Sequence, residues 1–199
     1  MITKITPKPT KQEFEQLYQS MIVDVTKTKE IEQAVNQILQ HKDRYQAIVN
    51  KVNSKIPWYA VGIPHYLEAN TNFNTHIHNG DSLNKRTVQV PSGRPAAEPQ
   101  AGANKPYTWE ESCEDWLTLK GWNKWQDWAI SDVLLRLEQN NGFGYRAKGI
   151  PTPYLWSYSN YYGATSQFKG KYVADGKFDI TAISKQVGAA ILIKELFNK

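Results

Sequence analysis

Apolar residues recur along this chain at the spacing of amphipathic helices. The first stripe occupies the i, i+3, i+4, i+7 and i+8 positions of one helical face. It comprises Phe14, Leu17, Tyr18, Met21 and Ile22. A second stripe begins after Thr28 and continues to Val52. The pattern predicts N-terminal helices over residues 1–54, packed on the same domain as the rest of the chain.

A third helix is predicted to begin at Pro57, because proline lacks an N–H and suits the first turn of a helix. Glu68 lies ten residues after Trp58 and therefore shares its helical face. Asn70 and Asn72 are expected to end this helix. Glu68 is thus placed in the last turn, on the face that Trp58 directs toward the core.

Residues 70–108 are dominated by polar and turn-forming side chains, with a Pro-rich loop at 91–106. Asn79-Gly80 is a turn signal, and residues 87–90 alternate like a short strand. We predict a small β-hairpin here, followed by the long loop. Loops of this length in a compact domain are commonly functional, and a plain connector is the alternative.

Helices are expected to resume after this loop. Thr108 and Glu111 have the spacing of a capping box, and Gly142 is suited to end the helix that follows. Residues 142–180 are rich in Gly and Tyr and are expected to be irregular, with one last helix at 183–196. The predicted fold is mainly α, with about six helices and one small hairpin.

Composition narrows the function classes. The chain has 199 residues, a length that suits one domain, and its single Cys excludes an intrachain disulfide. The net charge of +5 favours anionic partners, but the basic residues are scattered, which argues against nucleic acid. There is no apolar run of about 20 residues and no signal-peptide pattern, so we expect neither stable membrane insertion nor a secretion signal.

Glu68 is the first candidate for chemistry. Burial beside Trp58 and a position at a helix C-terminus would both raise its pKa, as a general acid requires. A capped, exposed Glu at a helix end is the alternative. Asp81 lies in a polar turn that would keep it ionised, and Thr87 could orient a water. One carboxyl with a raised pKa and one ordinary carboxyl is the arrangement used in glycoside hydrolysis.

The spacing Glu68-x12-Asp81-x5-Thr87 resembles the catalytic signature of phage-type lysozymes. The wider stretch, roughly residues 55–195, resembles phage and prophage lysozyme-family proteins, which are endolysin-like muramidases. The first spacing is longer than the x8 of the best-known members, and Glu68-Ala69 stands where many relatives have Glu-Ser. The matching segments lie at 58–61, 65–68, 73–81, 90–95, 108–112 and 142–146.

This resemblance implies an α+β lysozyme-like fold, with the hairpin beside an active-site cleft, and a catalytic region at 55–199. It implies cleavage of the glycan strand of bacterial peptidoglycan by a lysozyme-type glycoside hydrolase that needs no cofactor and no metal. Glu68 would be the general acid, Asp81 the base or cation stabiliser, and Thr87 the residue that positions water. We expect a monomer made in the host cytoplasm that reaches the cell wall through a holin, a virion or an injection device.

Further polar and aromatic residues are expected to bind the saccharide by stacking on pyranose faces or by hydrogen bonding. They are His76, His78, Asn79, Tyr145, Arg146, Tyr154, Trp156, Tyr158 and Tyr162. Arg146 could meet the carboxylates of muramic acid through a bidentate contact. Packing in the core is the alternative for the aromatic residues, and an ordinary surface position is the alternative for Arg146.

Two other functions fit parts of the sequence. His76-x-His78, with His65 and Asp81 nearby, could bind zinc, as in a zinc-dependent peptidoglycan peptidase. Against this, the sequence has no upstream His-x3-Asp partner. The chain could also be a non-catalytic wall-binding phage component, although the intact set of Glu68, Asp81 and Thr87 argues for catalysis.

Overall fold

Helices make up most of the regular structure in the computed structural model, which describes residues 5–102, 104–174 and 176–199. The α-helices of these residues are α1 (Lys11–Gln19), α2 (Thr28–Leu39), α3 (Lys42–Val52), α4 (Tyr59–Ala69), α5 (Trp109–Leu119), α6 (Ile130–Asn141), α7 (Pro153–Trp156) and α8 (Ala189–Leu196). Short 3-10 turns occupy Val25–Lys27, Trp122–Lys124 and Arg146–Lys148. Two strands, β1 (Lys171–Ala174) and β2 (Lys177–Asp179), pair in antiparallel fashion. The prediction of a mainly α fold with a small hairpin is confirmed.

The hairpin lies in a different part of the sequence from the predicted one. Residues 87–90 form no strand, and the described part of 70–108 holds only an isolated bridge between Thr75 and Ser82. The observed pair, β1 and β2, lies in the stretch predicted to be irregular. The Pro-rich loop 91–106 has neither helix nor strand in its described residues.

The described residues divide into two compact units. Unit 1 comprises the described residues through Asn36 together with Ala129–Lys199, and unit 2 comprises Gln37–Trp128. Neither division point coincides with residue 54, where the sequence pattern separates the N-terminal helices from the lysozyme-like region. That region remains a prediction.

In unit 1, α6 packs against α1, α7 and α8. The stripe predicted for the first helix supplies Phe14 and Leu17, which are fully buried. Leu134 and Leu137 on α6 and Ile191 on α8 are buried as well. Hydrophobic burial on these faces is what holds the helices of this unit together.

In unit 2, α3 packs against α4 and α5. The approach of α3 to α4 depends on Gly62, because a Cβ at that position would lie 2.9 Å from the Tyr45 ring. Trp109 and Trp116 on α5 are buried, as expected for core residues. The break between α2 and α3 falls at residues 40 and 41, at the start of a stretch, 40–44, that has no apolar residue.

The described helices include none with the length and apolar content needed to cross a bilayer.

Candidate functional site

Glu68 lies in the last turn of α4, as the sequence predicts. The helix ends at Asn70, whose φ of 49° is left-handed, and the Thr71 amide donates to the His65 carbonyl. The Asn70 amide also donates to the Tyr66 carbonyl at 2.9 Å, which is the 5→1 bond typical of an αL helix ending. The side-chain amide of Gln37 donates to the Asn70 carbonyl and to the Thr71 hydroxyl. These two hydrogen bonds hold the turn that follows Glu68.

Thr71 is also left-handed, with a φ of 54°. A β-branched residue in this region is strained and persists only where its surroundings fix it. Such strain is concentrated at functional sites. The strained residue lies three positions after Glu68.

The side chain of Glu68 is exposed. The expectation that burial beside Trp58 desolvates this carboxyl is therefore wrong, and the alternative of an exposed Glu at a helix end describes the free protein. The physical reason is its place in the last turn, beyond the buried part of α4, which ends at His65. Burial lowers the pKa of Lys120, the residue after α5, and the negative charge of Glu68 opposes this shift.

The turn at residues 79–81 packs against the end of α4. The Cβ position of Gly80 lies 3.8 Å from the Glu68 carbonyl oxygen, and the φ of 79° at Gly80 suits glycine. The Asp81 carbonyl accepts from the His76 amide at 2.7 Å, and the His76 carbonyl accepts from the Gly80 amide at 2.9 Å. Glu68 and Asp81 are thus held in adjacent parts of unit 2.

The Asp81 carboxylate binds the loop that follows it. Its Oδ2 accepts from the amides of Val88 at 2.8 Å and Gln89 at 3.0 Å, and from the side chain of Asn79 at 3.1 Å. Its Oδ1 accepts from the Gln89 side chain. The Gln89 and Val88 amides lower the pKa of Asp81, so the carboxylate is ionised, as predicted for a polar turn. To act as a base, however, it would have to give up these hydrogen bonds.

Thr87 is buried, with 3% of its surface exposed. Its hydroxyl donates to the Pro91 carbonyl and accepts from the Arg94 amide at 2.9 Å. Because the donor and an acceptor position are both used inside the loop, a water-orienting role does not fit this arrangement. Asn79 is likewise engaged within the turn, donating to Asp81 and to the Gln89 carbonyl, rather than offered to a saccharide.

Asp115 on α5 is a second carboxylate that anchors this loop, and sequence reasoning missed it. It accepts two hydrogen bonds from Arg94, at 2.8 and 2.6 Å, and one from the Ala96 amide at 3.0 Å. Its Oδ2 also lies 3.0 Å from Nε2 of His78. Asp115 stands among other acidic residues at 110–115, and nothing in that run distinguishes it.

Two of the three histidines considered for zinc, His65 and His76, make hydrogen bonds within the protein at both ring nitrogens. His65 contacts the Tyr45 hydroxyl at 3.0 Å and the Asn72 carbonyl at 3.3 Å. His76 contacts the Ser112 hydroxyl at 2.8 Å and the Lys85 carbonyl at 2.9 Å.

Burial also governs the charge of these histidines. It lowers the pKa of His65 and of His78 to about 4, and it lowers that of His76. The described residues contain no group of three or more His, Cys, Asp or Glu side chains arranged to hold a metal ion. His76 and His78 are buried within unit 2, so the predicted contact with saccharide does not fit the free protein.

The other predicted saccharide-binding residues all lie in unit 1. Arg146 is buried and pairs with Glu13 at 2.8 Å and Glu138 at 2.6 Å. The expectation that it meets muramic acid is therefore not supported, because both carboxylates belong to the protein itself. The buried Tyr145 hydroxyl accepts from the Tyr172 amide.

Of the aromatic residues after Arg146, Trp156 is buried in the core, where it packs edge-on against Tyr161. Tyr154 is half-buried on α7. Tyr158 and Tyr162 line one cavity of unit 1. Tyr162 is buried, and its hydroxyl donates to the Gly170 carbonyl, whereas Tyr158 is half-buried. Tyr158 is thus the member of this pair with accessible ring surface.

Comparison with known protein families, with curated proteins and with solved structures found no match to this chain. The resemblance to phage-type lysozymes therefore remains a prediction from the sequence motifs.

Proposed function

We propose that the chain cleaves the glycan strand of bacterial peptidoglycan as a lysozyme-type glycoside hydrolase, with Glu68 as the general acid. One observation carries the proposal: the exposed Glu68 lies at the end of α4, and its backbone carbonyl packs against the Asn79-Gly80-Asp81 turn. That is the pairing of helix end and turn that the resemblance to phage-type lysozymes implies. We assign no cofactor to the reaction.

Glu68 would become an acid when the polymer covers it. A saccharide lying over the exposed carboxyl removes its water, which favours the neutral form, and the negative end of the α4 dipole acts in the same direction. The protonated carboxyl then donates to the glycosidic oxygen as its bond to the sugar carbon breaks. Water forms the new bond to that carbon and gives its proton to the Glu68 carboxylate. Exposure in the free protein is what lets the polymer reach this group.

In this proposal Asp81 contributes charge and loop order rather than a proton acceptor. Its ionised carboxylate can stabilise the positive charge that develops on the sugar, while its hydrogen bonds fix residues 88 and 89. Thr87 is given the role of holding the loop, through its bonds to Pro91 and Arg94. Glu68 is then the single acid, which brings the mechanism closer to that of goose-type lysozymes and lytic transglycosylases than to a paired-carboxylate scheme.

The location of the substrate determines how the protein must reach it. Peptidoglycan lies outside the cytoplasm, so in this proposal a holin, a virion or an injection device brings the enzyme to the wall. The polymer is the partner that the proposal names.

The experiment is digestion of purified peptidoglycan by wild type and Glu68→Gln, followed by mass spectrometry of the fragments. Gln preserves the shape of Glu68 but has no proton to give, so we expect the rate to fall by roughly 10²–10⁴-fold. Glu195→Gln is the matched control, since Glu195 is also the second-last residue of its helix, α8. Its rate should stay within about twofold of wild type, as for most surface substitutions.

The fragments also separate the alternatives. Reducing ends indicate a hydrolase, anhydro-muramic ends a transglycosylase, and free peptides a peptidase. If Glu68→Gln retains more than about a tenth of the wild-type rate, the assignment of a general acid is wrong. Intact polymer with wild-type protein would favour a non-catalytic wall-binding component. Melting curves of both variants verify the fold.

A further inference from the structure

The largest cavity described in unit 1 has a volume of about 590 Å³. That is within the range of small-molecule binding sites, roughly 300–1,000 Å³. Its walls come from the segment 157–165, the segment 181–185 and the segment 24–30, which includes the start of α2. All of these segments belong to unit 1, whereas Glu68 and Asp81 belong to unit 2.

Tyr158 is the aromatic residue of this cavity with accessible surface. Its φ of 70° is left-handed, an outlier for a bulky residue. The conformation is held by the Asp24 amide, which donates to the Tyr158 carbonyl at 2.9 Å, and by the Tyr158 hydroxyl, which donates to the Lys185 carbonyl. The structure therefore fixes an aromatic ring in the wall of the cavity at a conformational cost.

Several hydroxyl side chains line the same cavity. Ser157 donates to the Ser184 carbonyl, Ser159 to the Trp156 carbonyl, and Thr181 to the Asp179 carboxylate. A hydroxyl has one proton but two lone pairs. Each proton is used within the protein, and the Ser159 hydroxyl also accepts from the Tyr161 amide at 3.2 Å. The lone pairs that remain can only accept, which suits a ligand with many O–H donors.

The positive and negative side chains that line the cavity are equal in number. Lys27 pairs with Glu30 at 3.0 Å and lies 5.4 Å from the centre of the Tyr158 ring. Asp24 accepts from the amide and hydroxyl of Thr26. With Lys185, the walls carry two basic and two acidic side chains. A balanced wall favours a neutral polar ligand over an ion of either sign.

From the ring, the acceptors and the balanced charge, we propose that this cavity binds pyranose rings of the glycan strand, with one sugar face against Tyr158. A sugar has an apolar face of C–H groups and a rim of O–H donors, and the cavity complements both. The choice of N-acetylated sugars rests on the proposed function. The cavity itself would be a binding site in unit 1, additional to the Glu68 site in unit 2.

The probe is the uncharged tetrasaccharide of N-acetylglucosamine, added to Glu68→Gln protein and followed by amide shifts in NMR. We expect saturable shifts at residues 157–165 and 181–185. Shifts confined to unit 2, or none at all, would overturn the inference. Mass spectrometry of the same sample shows whether the sugar stays intact, and this tests Glu68 independently of binding.

Two substitutions at Tyr158, made in the same Glu68→Gln chain, test the ring. Tyr158→Gly suits the left-handed backbone and removes the ring, so binding should weaken by about tenfold or more. Tyr158→Phe retains the ring and should bind within about twofold of the unsubstituted chain. Phe143→Ala removes an exposed aromatic of unit 1 outside the cavity and is the control. Equal affinity in Tyr158→Gly would overturn the inference, and if that variant fails to fold, the mapped shifts still decide.

Discussion

At the scale of single residues, Asp81 links a local electrostatic effect to the order of a loop. Its carboxylate accepts from the amides of Val88 and Gln89, and these bonds lower its pKa below the ordinary value of 3.8. A carboxyl with a lowered pKa in the folded state stabilises the fold at pH values above its unfolded pKa. That stability is lost as the pH falls through the folded pKa.

We therefore predict that Asp81→Asn lowers the free energy of unfolding by about 1 kcal/mol at neutral pH, a modest value because the group is partly exposed. The difference from wild type should stay constant down to about pH 5 and shrink below about pH 4, where wild type loses the same charge. Urea unfolding at several pH values measures it.

Asp127→Asn, a change at an exposed aspartate of the same unit, is the control and should show no such profile. A pH-independent difference between Asp81→Asn and wild type would contradict the proposed role of the charge. Unchanged stability accompanied by a large loss of rate would favour the base role expected from the resemblance.

The role of Thr87 could not be predicted from its residue type and spacing alone. Its type and spacing match a water-positioning threonine, but the sequence does not show that the hydroxyl is used by Pro91 and Arg94. The same holds for Arg146, whose side chain could bind a ligand carboxylate or a protein carboxylate. Residue types limit the chemistry that is possible, whereas the partners that the fold brings to each side chain decide which chemistry it performs.

At the scale of elements, Arg146 connects α1 to α6. Its side chain is 1% exposed, and it pairs with Glu13 on α1 and Glu138 on α6, whose side chains are 9% and 2% exposed. Burial raises the pKa of Glu138, while the charge of Arg146 opposes this shift. Removal of the arginine would leave two buried carboxylates without a counter-charge.

We predict that Arg146→Met lowers the free energy of unfolding by about 3–5 kcal/mol, as expected when one partner of a buried ion pair is removed. Lys148→Met, at an exposed cation two residues away, should have an effect of about 0.5 kcal/mol or less. Urea unfolding measures both. A stable Arg146→Met variant that binds peptidoglycan more weakly would instead restore the saccharide-binding role.

Most helices follow from local pattern, because capping and apolar spacing act over a few residues. The capping box of Thr108 and Glu111 is present in α5, and Asn70 ends α4. The hairpin was misplaced because the alternation at 87–90 has no partner strand, since those amides go to Asp81 instead. A sequence signal for the observed hairpin is Gly176, which lies between β1 and β2 and has a φ of 65° that suits glycine.

At the scale of the whole molecule, the net charge of +5 is a sum over the whole chain and does not belong to any single site. Bacterial walls are anionic polymers, and a positively charged enzyme is attracted to them over distances that salt shortens. The attraction acts on the polymer as a whole and not on the chemistry at Glu68. Its contribution can therefore be separated from catalysis by the choice of substrate.

We predict that cleavage of intact wall slows severalfold as NaCl is raised from about 0.05 to about 0.5 M, because the screening length falls over this range. Cleavage of the uncharged N-acetylglucosamine tetrasaccharide should change little, since there is no anionic surface to approach. The double variant Lys29→Gln, Lys169→Gln removes two exposed positive charges outside the candidate sites. It should lower the rate on wall at low salt and leave the rate on the tetrasaccharide unchanged. Parallel salt curves for the two substrates would show that charge attraction to the wall does not limit the reaction.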